Sequence, residues 1–266
     1  MIYKNGKLLD EKPYLNDNFI YEVIRSEDGV YLFLEDHMKR LYGNLEKANK
    51  TELFDKIKGI MSDFKPERNV ESVMIMVDGE DVFMEDMKIR EVTDFERKNG
   101  VNIGLYEFER LNPERKIYRK NFKKEVQEIM DRNDLFELLL YNGNEVLEGS
   151  RSNFYYIKDG KIFEPTKKKT LPGVVKKNFY KMCEESLSLE VEERELSLDE
   201  LKTIDGALLS GTGMDVVSVK SINGRELSGK DYELSIELAQ KFREFIDEYK
   251  KEFKEKEILW NTILKH

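Results

Sequence analysis

Apolar residues fall into short runs separated by turn signals through the first third of the chain. Met1 to Leu9 reads as a hairpin closed at Lys4-Asn5-Gly6-Lys7, because Asn-Gly supplies the positive φ angles of a tight turn. Phe19 to Arg25 and Val30 to Leu34, rich in β-branched and aromatic residues, read as strands around Asp28-Gly29. After Glu35-Asp36 the period changes. Met38, Leu41 and Leu45 recur at helical spacing, with Asp36 as the expected N-cap, and a second amphipathic helix is expected over Glu52 to Phe64. Val70 to Val77, Met87 to Val92 and Val101 to Glu107 are expected strands, with a turn at Asp78-Gly79. This part reads as an α+β unit with mixed strands.

The composition changes near Leu111-Asn112-Pro113, where a basic stretch begins: Arg115, Lys116, Arg119, Lys120, Lys123 and Lys124. Asn121 to Arg132 reads as a helix, followed by strands at Leu135 to Leu140, Glu145 to Leu147 and Phe154 to Ile157. Leu171-Pro172-Gly173 opens a helix that runs to about Ser186. A short helix is expected at Leu198 to Leu201, with strands at Ala207 to Leu209 and Val216 to Val219. Tyr232 to Ile263 reads as a long charged amphipathic helix or helix pair. The expected organisation is a small N-terminal α+β domain, residues 1–112, and a larger C-terminal domain, residues 113–266, ending in that helix. No internal repeat is visible.

Composition narrows the chemistry. Hydrophobic residues make up 39% and charged residues 37% of the chain, the balance of a soluble globular protein. No apolar run approaches the ~20 residues of a membrane span, and the N-terminus lacks a signal peptide's apolar core. The single cysteine, Cys183, and two histidines, His37 and His266, exclude an internal disulfide, Cys-pair motifs and a multi-histidine metal site. A net charge of −9 argues against a general nucleic-acid binder. A cytoplasmic protein acting on small molecules, with no metal, no membrane and no nucleic-acid partner, is the expectation.

Four segments carry candidate chemistry. Glu148-Gly149-Ser150-Arg151-Ser152-Asn153-Phe154 joins two apolar strands through a dense polar turn, from which an acid can address a ligand. Leu171-Pro172-Gly173-Val174-Val175 precedes a helix whose first backbone N–H groups and dipole make an anion site. Ser210-Gly211-Thr212-Gly213 is a small-residue turn that lets a backbone approach a phosphate, with the Thr212 hydroxyl as a donor. In His37-Met38-Lys39-Arg40-Leu41, Arg40 stands at the border of an apolar helix face, where a guanidinium suits fork-like phosphate binding. Taken singly, each also fits an ordinary turn, helix start or surface arginine.

The order and spacing of these segments, together with Tyr21-Glu22-Val23-Ile24-Arg25, resemble the class IV aminotransferases from Phe19 to about Ile222. That family includes branched-chain and D-amino-acid aminotransferases and aminodeoxychorismate lyase. The resemblance implies a two-domain, fold type IV pyridoxal-phosphate enzyme with a D-amino-acid aminotransferase-like architecture. It implies that Glu148 pairs with the cofactor's pyridine nitrogen and that Arg40 grips its phosphate. Val174 and Val175 would offer backbone N–H groups to that phosphate, and Thr212 would close the cup. Ser152 and Asn153 would line the cofactor, and Tyr21 would lie near the substrate.

The resemblance also implies a lysine that carries the cofactor and then acts as general base, before the helix that precedes the Glu148 strand pair. Lys116 fits that position without a gap, and Lys120 is the runner-up. Several positions depart from the family's pattern. Val175 stands where threonine is frequent, Leu15-Asn16-Asp17-Asn18 replaces a glycine-rich approach, and Ser218 replaces a common proline. An Arg-Gly pair is absent, Ile75-Met76-Val77-Asp78-Gly79 occupying that region. The leading reading is transamination between an amino acid and a 2-keto acid, by a homodimer. A lyase of the aminodeoxychorismate kind and a non-catalytic relative of the fold are the alternatives. Glu22 favours the transaminase over the first, and the joint presence of Lys116, Glu148, Arg40 and Thr212 speaks against the second.

Overall fold

The computed structural model describes residues 2–11, 13–46, 49–63 and 70–255. The chain divides into two compact units, neither continuous in sequence. The first holds residues 1–89, 115–120 and 246–266, and the second holds residues 90–114 and 121–245. Against the single border expected at residue 112, residues 90–112 group with the second unit, and the segment carrying Lys116 groups with the first.

The first unit is a six-stranded antiparallel sheet covered on one face by two helices. Its elements are β1 (Ile2–Lys4), β2 (Lys7–Leu8), β3 (Ile20–Glu27), β4 (Val30–Tyr31), α1 (Leu34–Asn44), α2 (Lys50–Asp63), β5 (Val70–Asp78) and β6 (Asp81–Met87). The strand order is β2-β1-β6-β5-β3-β4. The Asn5-Gly6 turn has φ angles of 48° and 83°, the geometry expected of it. Strand alternation sorts the residues by face. Ile24, Val73, Ile75, Val77, Val82 and Met84 point toward Leu34, Met38 and Leu41 of α1 and Phe54 and Ile57 of α2. Each such side chain, fully buried, contributes about 1.5–3 kcal/mol of transfer free energy. The opposite face gathers Phe19, Met76 and Phe83 with Tyr21, Met74 and Tyr118. Residues 115–120 run beside the start of β3: Tyr21 N donates to Lys116 O (3.1 Å) and Tyr118 N to Phe19 O (2.9 Å).

Three local expectations are corrected here. α1 begins at Leu34, and its N-cap is Phe33 rather than Asp36; the backbone N–H groups of Asp36 and His37 already bond Phe33 O. Burial of Phe33 and Leu34 sets this start, at the cost of a left-handed φ of 53° for Phe33. Val30 to Leu34 is accordingly a strand only at Val30–Tyr31. The strand expected at Met87 to Val92 lies earlier, as β6, because the chain turns back at Gly79-Glu80 and pairs Asp81 with Asp78.

The second unit is built on a nine-stranded mixed sheet. Its elements are α3 (Asp94–Asn99), β7 (Val101–Glu107), α4 (Lys120–Asn133), β8 (Glu137–Asn142), β9 (Glu145–Gly149), β10 (Asn153–Lys158) and β11 (Lys161–Glu164). They continue with α5 (Val174–Leu187), β12 (Val191–Glu193), α6 (Leu198–Leu201), β13 (Gly206–Gly211), β14 (Asp215–Ile222), β15 (Arg225–Glu226) and α7 (Lys230–Glu255), of which the residues from Ile246 group with the first unit. The strand order is β12-β11-β10-β13-β14-β7-β8-β9, with β15 on β14. The pairs β11/β12, β14/β7 and β7/β8 are parallel, and the others antiparallel. One large core runs through Ile103, Leu139, Val146, Phe154, Leu209 and Val217, and a smaller one lies under α4 at Phe122, Val126 and Met130. β11 and β12 were not expected from the sequence. α7 begins at Lys230, and the end expected at Ile263, like Phe64 at the end of α2, lies outside the described residues. No helix among the described residues is long and apolar enough to cross a membrane.

Candidate active site

In the first unit the structure gathers Lys116, Tyr21 and Arg40. Lys116 Nζ lies 4.7 Å from the centre of the Tyr21 ring, and Tyr118 meets that ring edge-on. Asn44, the last residue of α1, ties the lysine segment to the arginine's turn. Its Nδ2 donates to Arg40 O (2.8 Å), its Oδ1 accepts from Lys116 N (3.2 Å), and its carbonyl accepts from Arg115 Nη2 (3.3 Å). Lys120 is exposed at the first residue of α4.

Arg40 is forked onto Glu22, with Nε to Oε2 at 2.9 Å and Nη2 to Oε1 at 2.6 Å. His37 Nδ1 meets the same Oε1 at 3.0 Å, and Glu22 itself has no exposed surface. β3 puts Glu22 on the helix-facing side, and the i, i+3 spacing of His37 and Arg40 puts both on the matching face of α1. Burial disfavours the Glu22 carboxylate, but Arg40 and His37 outweigh it and hold its pKa below the ordinary range. Burial depresses His37 in spite of Glu22.

In the second unit Glu148 is held from three sides. Arg110 donates to Oε1 from Nε at 2.8 Å and again from Nη2. Leu171 N donates to Oε2 at 2.9 Å, and Asn153 Nδ2 approaches it at 3.5 Å. Burial pushes the Glu148 carboxyl up, against the pull of Arg110 and of the Leu171 N–H. Asn153 also donates to Leu171 O (2.9 Å), and its side chain fills the space beside Gly173, where an added Cβ would collide with Asn153 Oδ1.

Gly173 is the N-cap of α5, and no side chain caps the helix. Val174 and Val175 are therefore its first two residues, with Lys176 and Lys177 next and no acid in the first turn. Asn153 thus brings the carboxyl and the helix N-terminus onto one scaffold. Ser152 is directed elsewhere. Its Oγ donates to Glu137 (2.9 Å), as does Ser150 Oγ (2.5 Å), so Glu137 organises the polar turn from beneath. Thr212 is half-buried in the turn between β13 and β14.

Four contributors were missed from the sequence: Asn44, Arg110, Glu137 and the Leu171 N–H. Glu137 carried a signal, an acid inside the apolar run Phe136-Glu137-Leu138-Leu139-Leu140. Arg110 carried none, because only the fold brings it to an acid 38 residues away.

Residues 20–222 match the family described as amino-transferase class IV. A Methanocaldococcus jannaschii protein provisionally named branched-chain-amino-acid aminotransferase is 26% identical, over 91% of this chain and 95% of its own. The D-alanine aminotransferase of Bacillus licheniformis is 25% identical, over 82% of this chain and 84% of its own. The solved branched-chain aminotransferase of the archaeon Thermoproteus uzoniensis with norvaline superposes with a TM-score of 0.75 at 16% identity, covering 95% of this chain and 96% of that one. The fold is the α+β fold of the fold type IV aminotransferases. The chain belongs to the class IV aminotransferase family and is an enzyme that transfers amino groups.

Proposed function

We propose that the protein carries pyridoxal 5'-phosphate and moves an amino group between an amino acid and a 2-keto acid, with Lys116 as the residue that attaches the cofactor and carries the proton. The observation that supports this most is the Glu148 scaffold: a buried carboxyl and an uncapped helix N-terminus joined through Asn153. When bound, pyridoxal phosphate supplies an aldehyde for the amino group and a protonated ring that withdraws electrons.

The donor set suits that molecule. Arg110 uses two N–H groups on Oε1, while Oε2 accepts one short and one long bond and has capacity for a further donor such as a ring N–H. A carboxyl whose proton affinity is raised by burial is matched to a pyridine nitrogen. The N–H groups of Val174 and Val175, the hydroxyl of Thr212 and the guanidinium of Arg40 would hold the phosphate, Glu22 fixing the guanidinium plane. Asn153 would shape the wall beside the ring, with Ser152 steadying the turn through Glu137, and Tyr21 the substrate side. Lys116 Nζ would take the substrate's α-proton and deliver it to the cofactor carbon. A neutral amine is needed for that, and the nearby Arg40 guanidinium would favour it. The family resemblance supports a homodimer, and the composition supports a cytoplasmic location.

Borohydride reduction of the protein loaded with pyridoxal phosphate, followed by peptide mapping, tests the assignment. The adduct is expected on Lys116; on Lys120 it would overturn the lysine assignment, and no adduct would overturn the cofactor. A spectral change on adding an amino acid, reversed by a keto acid, is the expected sign of transfer.

A further inference from the structure

Asp215 lies outside the residues assigned so far. It is 2% exposed, it starts β14, and its backbone closes the turn that carries Thr212, pairing with Gly211 across the hairpin. The turn is tight: Met214 N donates to Gly211 O at 3.0 Å, and Asp215 adopts a left-handed φ of 61°. An aspartate tolerates that conformation better than most residues, yet it still costs free energy that the surroundings must offset.

Two arginines from separate helices converge on its carboxylate. Arg243 Nη1 of α7 donates to Oδ2 at 2.7 Å, and Arg97 Nη2 of α3 lies 3.5 Å from the same oxygen. α3 is itself well anchored. Thr93 and Glu96 form a capping box at its N-terminus, and Glu96 also binds Arg90 at 2.5 Å. The carboxylate therefore fastens the turn of the hairpin to two helices that have no other stated part in the site.

We propose that Asp215 is a positioning residue: with Arg97 and Arg243 it fixes the Gly211-Thr212-Gly213 turn in the conformation that receives the cofactor's phosphate. The inference rests on the reading of that turn as a phosphate site. A buried carboxylate shared by two guanidinium groups resists rotation of the turn far more than the single turn hydrogen bond could. It also gives α7 a part in ligand binding without any contact of its own.

Pyridoxal phosphate and phosphate-free pyridoxal separate the effects, because only the first uses the turn. The full-length apoprotein is titrated with each for wild type, Asp215→Asn, Arg243→Gln, the combination of the two, and Thr212→Ala. Asparagine keeps the size and the left-handed tolerance of position 215, and Arg243 is partly exposed, so that variant keeps the test open if the first does not fold.

Asp215→Asn and Arg243→Gln are each expected to weaken pyridoxal phosphate about tenfold, the low end for loss of a hydrogen bond to a charged group. Pyridoxal binding should not change, and the combination should be no worse than the worse single variant. A lowered melting temperature with an unchanged ratio of the two affinities would make Asp215 a stability residue and overturn the inference. Thr212→Ala separates the two levels. An altered ratio there with an unaltered ratio in the Asp215 and Arg243 variants overturns this inference alone. An unaltered ratio in Thr212→Ala overturns the phosphate reading of the turn, and the inference with it.

Discussion

Glu148 and Arg110 show how the surroundings of one side chain decide its chemistry. The carboxyl is buried, yet it keeps a guanidinium on one oxygen and a backbone N–H on the other. Glu148→Gln preserves size and removes the charge that would keep a ring nitrogen protonated. Cofactor loading should change little, while proton abstraction in single-turnover kinetics slows about a hundredfold or more. Wild-type rates would refute the pairing. Arg110→Gln does something different, because it leaves the acid buried without its cation. It should destabilise the fold by about 3–5 kcal/mol in urea denaturation, the usual cost of removing one partner of a buried pair. An effect below about 1 kcal/mol would place the Arg110 contact among surface ion pairs.

At the scale of elements, α5 concentrates the design in its first turn. Gly173 has an ordinary φ of −67°, so its lack of a side chain serves space rather than backbone conformation. Gly173→Ala would force Asn153 away and loosen both Leu171 and Glu148. The expected result is a loss of about 1–3 kcal/mol, typical of overpacking, together with weaker cofactor binding in the same titration. Unchanged stability would mean Asn153 has room to move.

The Leu171-Pro172-Gly173 start of α5 was legible in the sequence, as were the Asn5-Gly6 hairpin, the strand at Tyr21 and the helices at Asn121 and Leu198. Their signals are local: turn residues, alternation and helical period. β11 was missed although Asp159-Gly160 marks its turn, because four residues between polar neighbours give too short a pattern. β12 was missed because its three residues depend on a parallel partner remote in sequence. The start of α1 was misplaced because tertiary burial of Phe33 and Leu34 overrode the N-cap preference of Asp36. Of the candidate site, the motif residues were readable as candidates and the contacts around them were not. Asn44, Arg110 and Glu137 act through contacts that only the fold creates.

Across the whole molecule, buried titrating groups set the response to acid. His37 is buried and its pKa lies below its ordinary 6.5, so below that pH the unfolded chain binds the proton more readily and stability is lost as pH falls. Glu22 is depressed as well, so its contribution, full above its ordinary 4.5, is lost on further acidification. Glu148 has the opposite sign: its raised pKa favours the folded state at low pH, an advantage that fades as pH rises through its folded value. Between about pH 5 and 7 His37 therefore lowers the unfolding free energy measured by urea toward the acid end, a slope that Glu148 opposes. His37→Asn should flatten that slope, and an unchanged slope would exclude His37 as its source.

The interleaving of the two units bears on the order in which the protein can be made. The first unit needs residues 115–120, which bond to β3, and residues from Ile246 onward, where Tyr249 packs on Phe33 and Lys250 pairs with Asp28. A ribosome delivers residues 115–120 after only the first stretch of the second unit, residues 90–114, and those from Ile246 onward after all of it. The strands of the first unit are thus synthesised first, β3 gains its neighbouring segment midway, and the contacts of Phe33 and Asp28 with Tyr249 and Lys250 come only after residue 245. Vectorial synthesis lets the second unit gather all its residues before the first does, although the first unit's strands are the earlier to be made.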